Sequence, residues 1–196
     1  MRAPYGLNIL DNCLSCRVRE EQVFCNLSIH AGQRLNEIKS TAVYPKGAML
    51  FIEGQQPRGV FVLCVGKAKL STSSREGKTI ITKLSEAGDV LGLSSVISNR
   101  PYEVTAEMME PGQANFIPRE SLLQFLKEHG EVALRVAEQL SRNYYTAYEE
   151  IAEIIGTTRE TVSRLFSEFK KKQLLQLKGS TLVIRNRSAL EKIVQS

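Results

Sequence analysis

The hydrophobic rhythm of the chain changes as it passes Pro118. Between Val43 and Glu110, apolar residues come in short runs: Met49 to Ile52, Val60 to Val65, Thr79 to Leu84 and Val104 to Met109. Gly47, Gly54, Gly66, Gly77, Gly88 and Gly92 punctuate them at intervals of up to twelve residues. Short apolar runs broken by glycines are the pattern of strands joined by tight turns, so this stretch is predicted to be a compact β barrel or sandwich. Beyond Pro118 the period lengthens. Leu122, Leu123 and Leu126 predict a short helix broken near Gly130, and Val132, Val136, Leu140 and Ala147 mark one side of a longer second helix. Asn143 falls on the same stripe. A narrow stripe suits a dimer seam or packing on the β domain; the seam is favoured, because a polar residue inside it can fix register.

The segment from Glu149 to Lys171 carries the most specific local pattern. Ile151, Ile154 and Ile155 form the apolar face of a short helix that ends at Gly156, a residue suited to a left-handed turn. Thr157 is predicted to cap the next helix, with Glu160 at its third position completing a capping box. Two helices across a tight glycine turn make a helix-turn-helix. In the second helix Val162, Leu165, Phe166 and Phe169 point inward, leaving Glu160, Ser163, Arg164, Ser167 and Lys171 on the opposite face with Arg159 beside them. Arg pairs with guanine O6 and N7, Glu accepts from the cytosine amino group, and Ser serves either base edge. Each of these residues also has a plainer role: Glu160 as a cap, Arg164 as its i+4 partner, Lys170 to Lys172 as solvated charge. From Leu174 to Arg185, two strand-like runs flank Lys178-Gly179-Ser180, a basic hairpin that forms a wing able to hold phosphate.

Charge sharpens this division. The net charge is +5, yet residues 1 to 158 hold 17 Lys and Arg against 18 acids, while the remainder holds nine against three. A basic end on a neutral body points to a polyanion partner for that end. With 42% hydrophobic residues the chain can bury a core, and no stretch is apolar enough to span a bilayer. The start lacks the pattern of a secretory leader, so a cytoplasmic protein is expected. Cys13, Cys16, Cys25 and Cys64 are too few for a secreted disulfide framework.

The run from Ile151 to Leu165 resembles the helix-turn-helix of the Crp/Fnr family of bacterial transcription regulators, and the likeness extends over nearly the whole chain. Tyr44 to Met109 resembles that family's cyclic-nucleotide-binding β-roll, Ile117 to Glu120 the start of its helical connection, and Val132 to Tyr148 its dimerisation helix. The resemblance implies an α+β chain: an N-terminal cysteine-containing segment over 1–40, a double-stranded β-helix (β-roll or jelly-roll) sensor over 41–117, a helical connection with a long dimerisation helix over 118–148, and a winged helix-turn-helix over 149–196. It also implies a homodimer on palindromic double-stranded DNA with a TGA half-site core, contacting RNA polymerase if it activates. Arg159, Glu160, Ser163 and Arg164 match the family's base-reading positions; Thr157, Thr158, Thr161, Lys178 and Ser180 are the expected phosphate contacts. One departure stands out. The family carries a further helical and strand segment before the helix-turn-helix, but here Tyr148 runs straight into Glu149. Either the protein lacks that segment or the sequence omits it, and omission is favoured.

The signal is less determined. Cyclic-AMP-binding members hold ribose with a Gly-Glu pair and phosphate with an Arg-Ser pair. Here Gly92 is followed by Leu93 and Arg100 by Pro101, which offer neither the carboxylate nor the hydroxyl. Gly92 and Arg100 remain candidates for another small ligand. Cys13, Cys16 and Cys25 resemble the N-terminal cluster by which the Fnr branch holds an oxygen-sensitive iron–sulfur centre. The spacing from Cys16 to Cys25 is longer than in that branch, and the position of the remaining ligand is Asn115. Zinc, or no cofactor at all, are the alternatives. Cys64, inside an apolar run, is expected to be a separate structural thiol. No catalytic constellation is apparent, His30 and His129 standing alone, so no enzyme is expected. The competing readings are a ligand-binding module whose basic end contacts RNA or protein, and, last, a redox enzyme using Cys13 and Cys16, which lacks the surrounding βαβ pattern.

Overall fold

A computed structural model describes residues 4–16, 22–73, 79–178 and 181–194. In chain order the elements are α1 (Ile29–Ile38), β1 (Ser40–Tyr44), β2 (Met49–Phe51), β3 (Gly59–Val65), β4 (Ala68–Ser73), β5 (Thr79–Ser85), β6 (Val90–Leu91), α2 (Leu93–Ser98), β7 (Thr105–Met108), β8 (Gly112–Pro118), α3 (Arg119–Glu128), α4 (Gly130–Ile154), α5 (Arg159–Lys171), β9 (Leu175–Lys178), β10 (Thr181–Ile184) and α6 (Arg187–Val194). They fall into two compact units, residues 1–136 and 137–196.

The first unit holds two antiparallel four-stranded sheets, ordered β1-β8-β3-β6 and β2-β7-β4-β5. The runs of apolar residues are strands, and their inward members Val60, Leu63, Ala68, Ala106, Met108, Ala114 and Ile117 have no solvent exposure. This is the jelly-roll type of β domain that the glycine rhythm and the resemblance predicted. β3 and β8 pair in register from Gly59 opposite Pro118 to Leu63 opposite Ala114, after which an irregularity between Leu63 and Val65 shifts the ladder. Gly59 is required at this pair: a β-carbon there would lie 2.2 Å from the carbonyl oxygen of Ile117. Leu35 of α1 and Leu122 and Phe125 of α3 add to the core, with Phe125 6.4 Å from the ring of Phe24. His30 and His129, isolated in the sequence, are brought together with ring centroids 5.4 Å apart.

In the second unit, α4 and α5 pack around buried Tyr148, Ala152 and Val162, with Ile151 and Phe166 against them. β9 and β10 form the expected antiparallel hairpin, Lys178 opposite Thr181. α4 runs unbroken from Gly130 to Ile154 through the Tyr148–Glu149 junction, so the stretches expected to be a dimerisation helix and the first helix of the helix-turn-helix form one helix. On the predicted seam, Leu140 is half-buried while Asn143 and Ala147 are exposed.

Tyr102 locks part of the roll. Its ring stacks on Phe51 at 4.0 Å, and its hydroxyl donates to the carbonyl of Gly59 at 2.5 Å. Tyr102→Phe keeps the stack but strips that buried carbonyl of its donor, and is expected to lower unfolding free energy by ~1–3 kcal/mol in urea titrations; unchanged stability would show the bond contributes nothing net.

Candidate functional sites

The thiol site is built from the N-terminal segment upward. Gln113, fully buried on β8, bonds both backbone groups of Leu10: its Oε1 accepts from the amide at 2.7 Å and its Nε2 donates to the carbonyl at 2.8 Å. Lys39 donates to the carbonyl of Asp11 at 2.6 Å, and Asn36 accepts the amide of Cys13 at 3.0 Å. Asn12 then caps a short 3-10 turn over Cys13–Ser15. Further on, the backbone turns at Gln22–Cys25, and Arg135 donates to the carbonyl of Cys25 at 2.8 Å.

These anchors bring Cys13, Cys16 and Cys25 to the wall of one cavity, and Cys64 of β3 lines the same wall. The expectation that Cys64 lies apart from the other three cysteines is corrected by this shared wall. Its sulfur accepts a hydrogen bond from Nδ2 of Asn115 at 3.2 Å, while Oδ1 of Asn115 accepts from Thr41 at 2.8 Å. Burial raises the Cys13 thiol against the pull of Lys39, and burial together with the neighbouring thiols pushes Cys25 up to about 11 and Cys64 to about 12.

Four soft sulfur donors around one mostly apolar cavity suit a thiophilic metal centre. Among the described residues, no three His, Cys, Asp or Glu side chains are gathered closely enough for a single ion. Tetrahedral zinc with Zn–S bonds near 2.3 Å needs its sulfurs about 3.8 Å apart, whereas the cysteines of an iron–sulfur cluster bind separate irons. The donor set therefore fits a cluster better than one zinc. The cavity itself is about 30 Å³, room for a water or two, so a cluster needs its wall to move outward. Cys13 and Cys16 on that wall are only half-buried.

Gly92 and Arg100 do not line this cavity. Gly92 caps α2 in a left-handed conformation, φ 82°, and a β-carbon there would lie 2.7 Å from the ring of Tyr102. Leu93 is buried and Arg100 is exposed. An aromatic ring of the protein itself fills the place beside Gly92.

In the second unit Gly156 adopts φ 65° and the amide of Thr157 reaches back to the carbonyl of Ala152 at 2.9 Å, closing α4. The cap of α5 is Thr158, not Thr157: its side chain accepts from the amide of Thr161 at 3.3 Å. Glu160 consequently sits at the second helical position, where its own amide, the Thr158 hydroxyl and Arg159 hold its carboxyl below the usual carboxylate range. Ser163, Arg164 and Ser167 are exposed on the face opposite Val162. Arg159 differs: its guanidinium lies 4.6 Å from the centroid of the Tyr145 ring and 3.7 Å from Glu160. Tyr144, Tyr145 and Tyr148 of α4 share one cleft with Arg159, Glu160, Ser163, Arg164 and Ser167. The sequence reading missed this tyrosine border, whose signal was three tyrosines at one- and three-residue steps ahead of Ile151. Thr161 is half-buried, Lys178 ends β9, and Ser180 lies outside the described residues.

Comparison with known proteins decides the family. A cyclic nucleotide-binding domain model matches residues 41–129 and a Crp-like helix-turn-helix domain model matches residues 122–193. The chain belongs to the Crp/Fnr family of transcription regulators. Among its Crp/Fnr relatives, the fumarate and nitrate reduction regulatory protein of Yersinia pestis is 24% identical over 225 residues, covering 93% of this chain and 90% of that protein. The CRP-like cAMP-activated global transcriptional regulator of Mycobacterium tuberculosis is 20% identical, covering 75% and 84%. The fold matches the Thermus thermophilus catabolite activator protein with a TM-score of 0.59 at 20% identity, covering 88% of this chain and 98% of that one. An alignment of 225 positions that takes in 93% of a 196-residue chain leaves some forty positions of the Yersinia relative without a counterpart.

The raised thiols of this Crp/Fnr member give a pH prediction. A raised pKa leaves less thiolate, the nucleophilic form, at any given pH. In metal-free protein Cys25 and Cys64 should resist iodoacetamide near pH 8, react as pH climbs toward 11 and 12, and react at once in urea. Peptide mass mapping of the alkylated residues checks this, and fast labelling of folded protein near pH 8 would contradict it.

Proposed function

We propose that this chain is a homodimeric, sequence-specific DNA-binding transcription regulator whose α5 enters the major groove, with an oxygen or redox signal received by the N-terminal cysteines. The observation carrying the DNA reading is the capped α5, with exposed Glu160, Ser163 and Arg164 on one face and the basic β9–β10 hairpin after it. In family members with this motif the recognition helix of each subunit reads one half-site of a palindrome. Arg164 is assigned to guanine, Glu160 to a cytosine amino group, and Ser163 to an adjoining base edge. Arg159 joins them by leaving the Tyr145 ring, a contact worth ~0.5–1 kcal/mol. Thr157, Thr158, Thr161, Lys178 and Ser180 are assigned to phosphates, which fix register without reading sequence. RNA polymerase is the further partner if the protein activates.

For the signal, Cys13, Cys16 and Cys25 would hold an iron–sulfur cluster, which when bound would supply sensitivity to oxygen. Burial raises both Cys13 and Cys25, and Lys39 beside the first and Arg135 beside the second offset part of that rise, favouring the thiolates such a group needs. Cyclic AMP does not suit the roll, where Leu93 replaces the ribose carboxylate and Tyr102 fills the space beside Gly92.

Fluorescence anisotropy on a palindrome with a TGA half-site core tests the DNA reading. Arg164→Ala is expected to cost ~1–3 kcal/mol on that site, and Glu160→Ala to relax discrimination at one position. Affinity should fall steeply with salt, as phosphate neutralisation requires. Unchanged specificity in both variants would sink the assignment, and preference for single-stranded RNA over the duplex would favour an RNA-binding module.

A further inference from the structure

We infer that Cys64 is the fourth thiolate of the N-terminal site, completing with Cys13, Cys16 and Cys25 the ligand set for an iron–sulfur cluster, and that Asn115 is a hydrogen-bond donor to its sulfur. The inference rests on the cluster reading above and adds to it a residue on a different element.

Three observations carry it. Cys64 and the three N-terminal cysteines line one cavity, although Cys64 is at least 39 positions from any of them in the chain. Cys64 also sits at the ladder irregularity between Leu63 and Val65, where β3 departs from regular pairing with β8; such bulges re-aim a side chain that a regular strand would direct elsewhere. Finally, Asn115 of β8, itself 3% exposed, points its amide at the Cys64 sulfur. Asn offers no thiolate, so position 115 cannot ligate iron as cysteine would. Cys64, which its amide touches from the neighbouring strand, can, and the Asn115 N–H then bonds the ligating sulfur, a contact of the kind that tunes a cluster's reduction potential. The side chain at 115 is held for that task by Thr41, which donates to Oδ1 at 2.8 Å and so leaves Nδ2 turned toward the sulfur.

The test is anaerobic reconstitution of the full chain with ferrous iron and sulfide, read as iron and acid-labile sulfide per chain and as visible absorbance. Wild type should load. Cys64→Ser should load at least about threefold less iron, or lose its cluster about tenfold faster under a chelator, as expected for a missing ligand among four. Circular dichroism of the metal-free variant separates this from misfolding. As a second variant, Cys64→Ser combined with Asn115→Cys should recover the iron content, because the new thiol reaches the same cavity from the neighbouring strand. Asn115→Ala should keep the iron but shift the reduction potential of the bound cluster. Cys64→Ser loading and holding iron as wild type does would overturn the role of Cys64 while leaving the cluster reading standing. Absence of iron and sulfide in wild type would overturn the cluster reading, and this inference with it.

Discussion

The antiparallel pairing of β3 with β8 is the constraint on which the first unit depends. Along this ladder Gly59 is driven against Ile117, close enough that no side chain fits. The same two strands present Gln113, which grips the backbone of Leu10, and Asn115, which holds the Cys64 sulfur. Leu10 is thus held by a residue 103 positions away, while Asn36 and Lys39 hold Cys13 and Asp11 from nearer in the chain. A segment with little apolar surface of its own gains fixed structure because buried polar side chains on a rigid sheet supply the hydrogen bonds its backbone needs.

Much of the architecture is legible in the sequence because it is local. Glycine-punctuated apolar runs become strands, the stripe after Pro118 becomes helix, and Gly156 ends α4 with a left-handed residue as its lack of a side chain permits. What escaped was relational. Thr157 and Thr158 are equivalent caps on composition; the structure places the hydroxyl of Thr158 on the amide of Thr161, while the amide of Thr157 closes the preceding helix onto the carbonyl of Ala152. Cys64 looked solitary because linear distance says nothing of a cavity shared across the fold. The continuity of α4 escaped because helix propensity does not stop at Tyr148 when the residues on either side, Tyr144 and Ala152, favour the same state.

Tyr102 ties together three parts of the roll: its ring stacks on Phe51 and lies against Gly92, and its hydroxyl bonds the carbonyl of Gly59. In the second unit Tyr148 plays a comparable part, packing against Phe166 with ring centroids 5.5 Å apart.

Positions 64 and 115 lie on neighbouring strands and already touch. That adjacency opens a route by which a thiol can pass from one strand to the other over evolutionary time. A chain carrying cysteine at both positions would keep the cavity supplied while either one was lost, so the exchange requires no ancestor without function. Descendants would then differ in any column-by-column comparison while retaining the same chemistry in space, and a gap in one column would be answered by a gain in another that no linear inspection pairs with it.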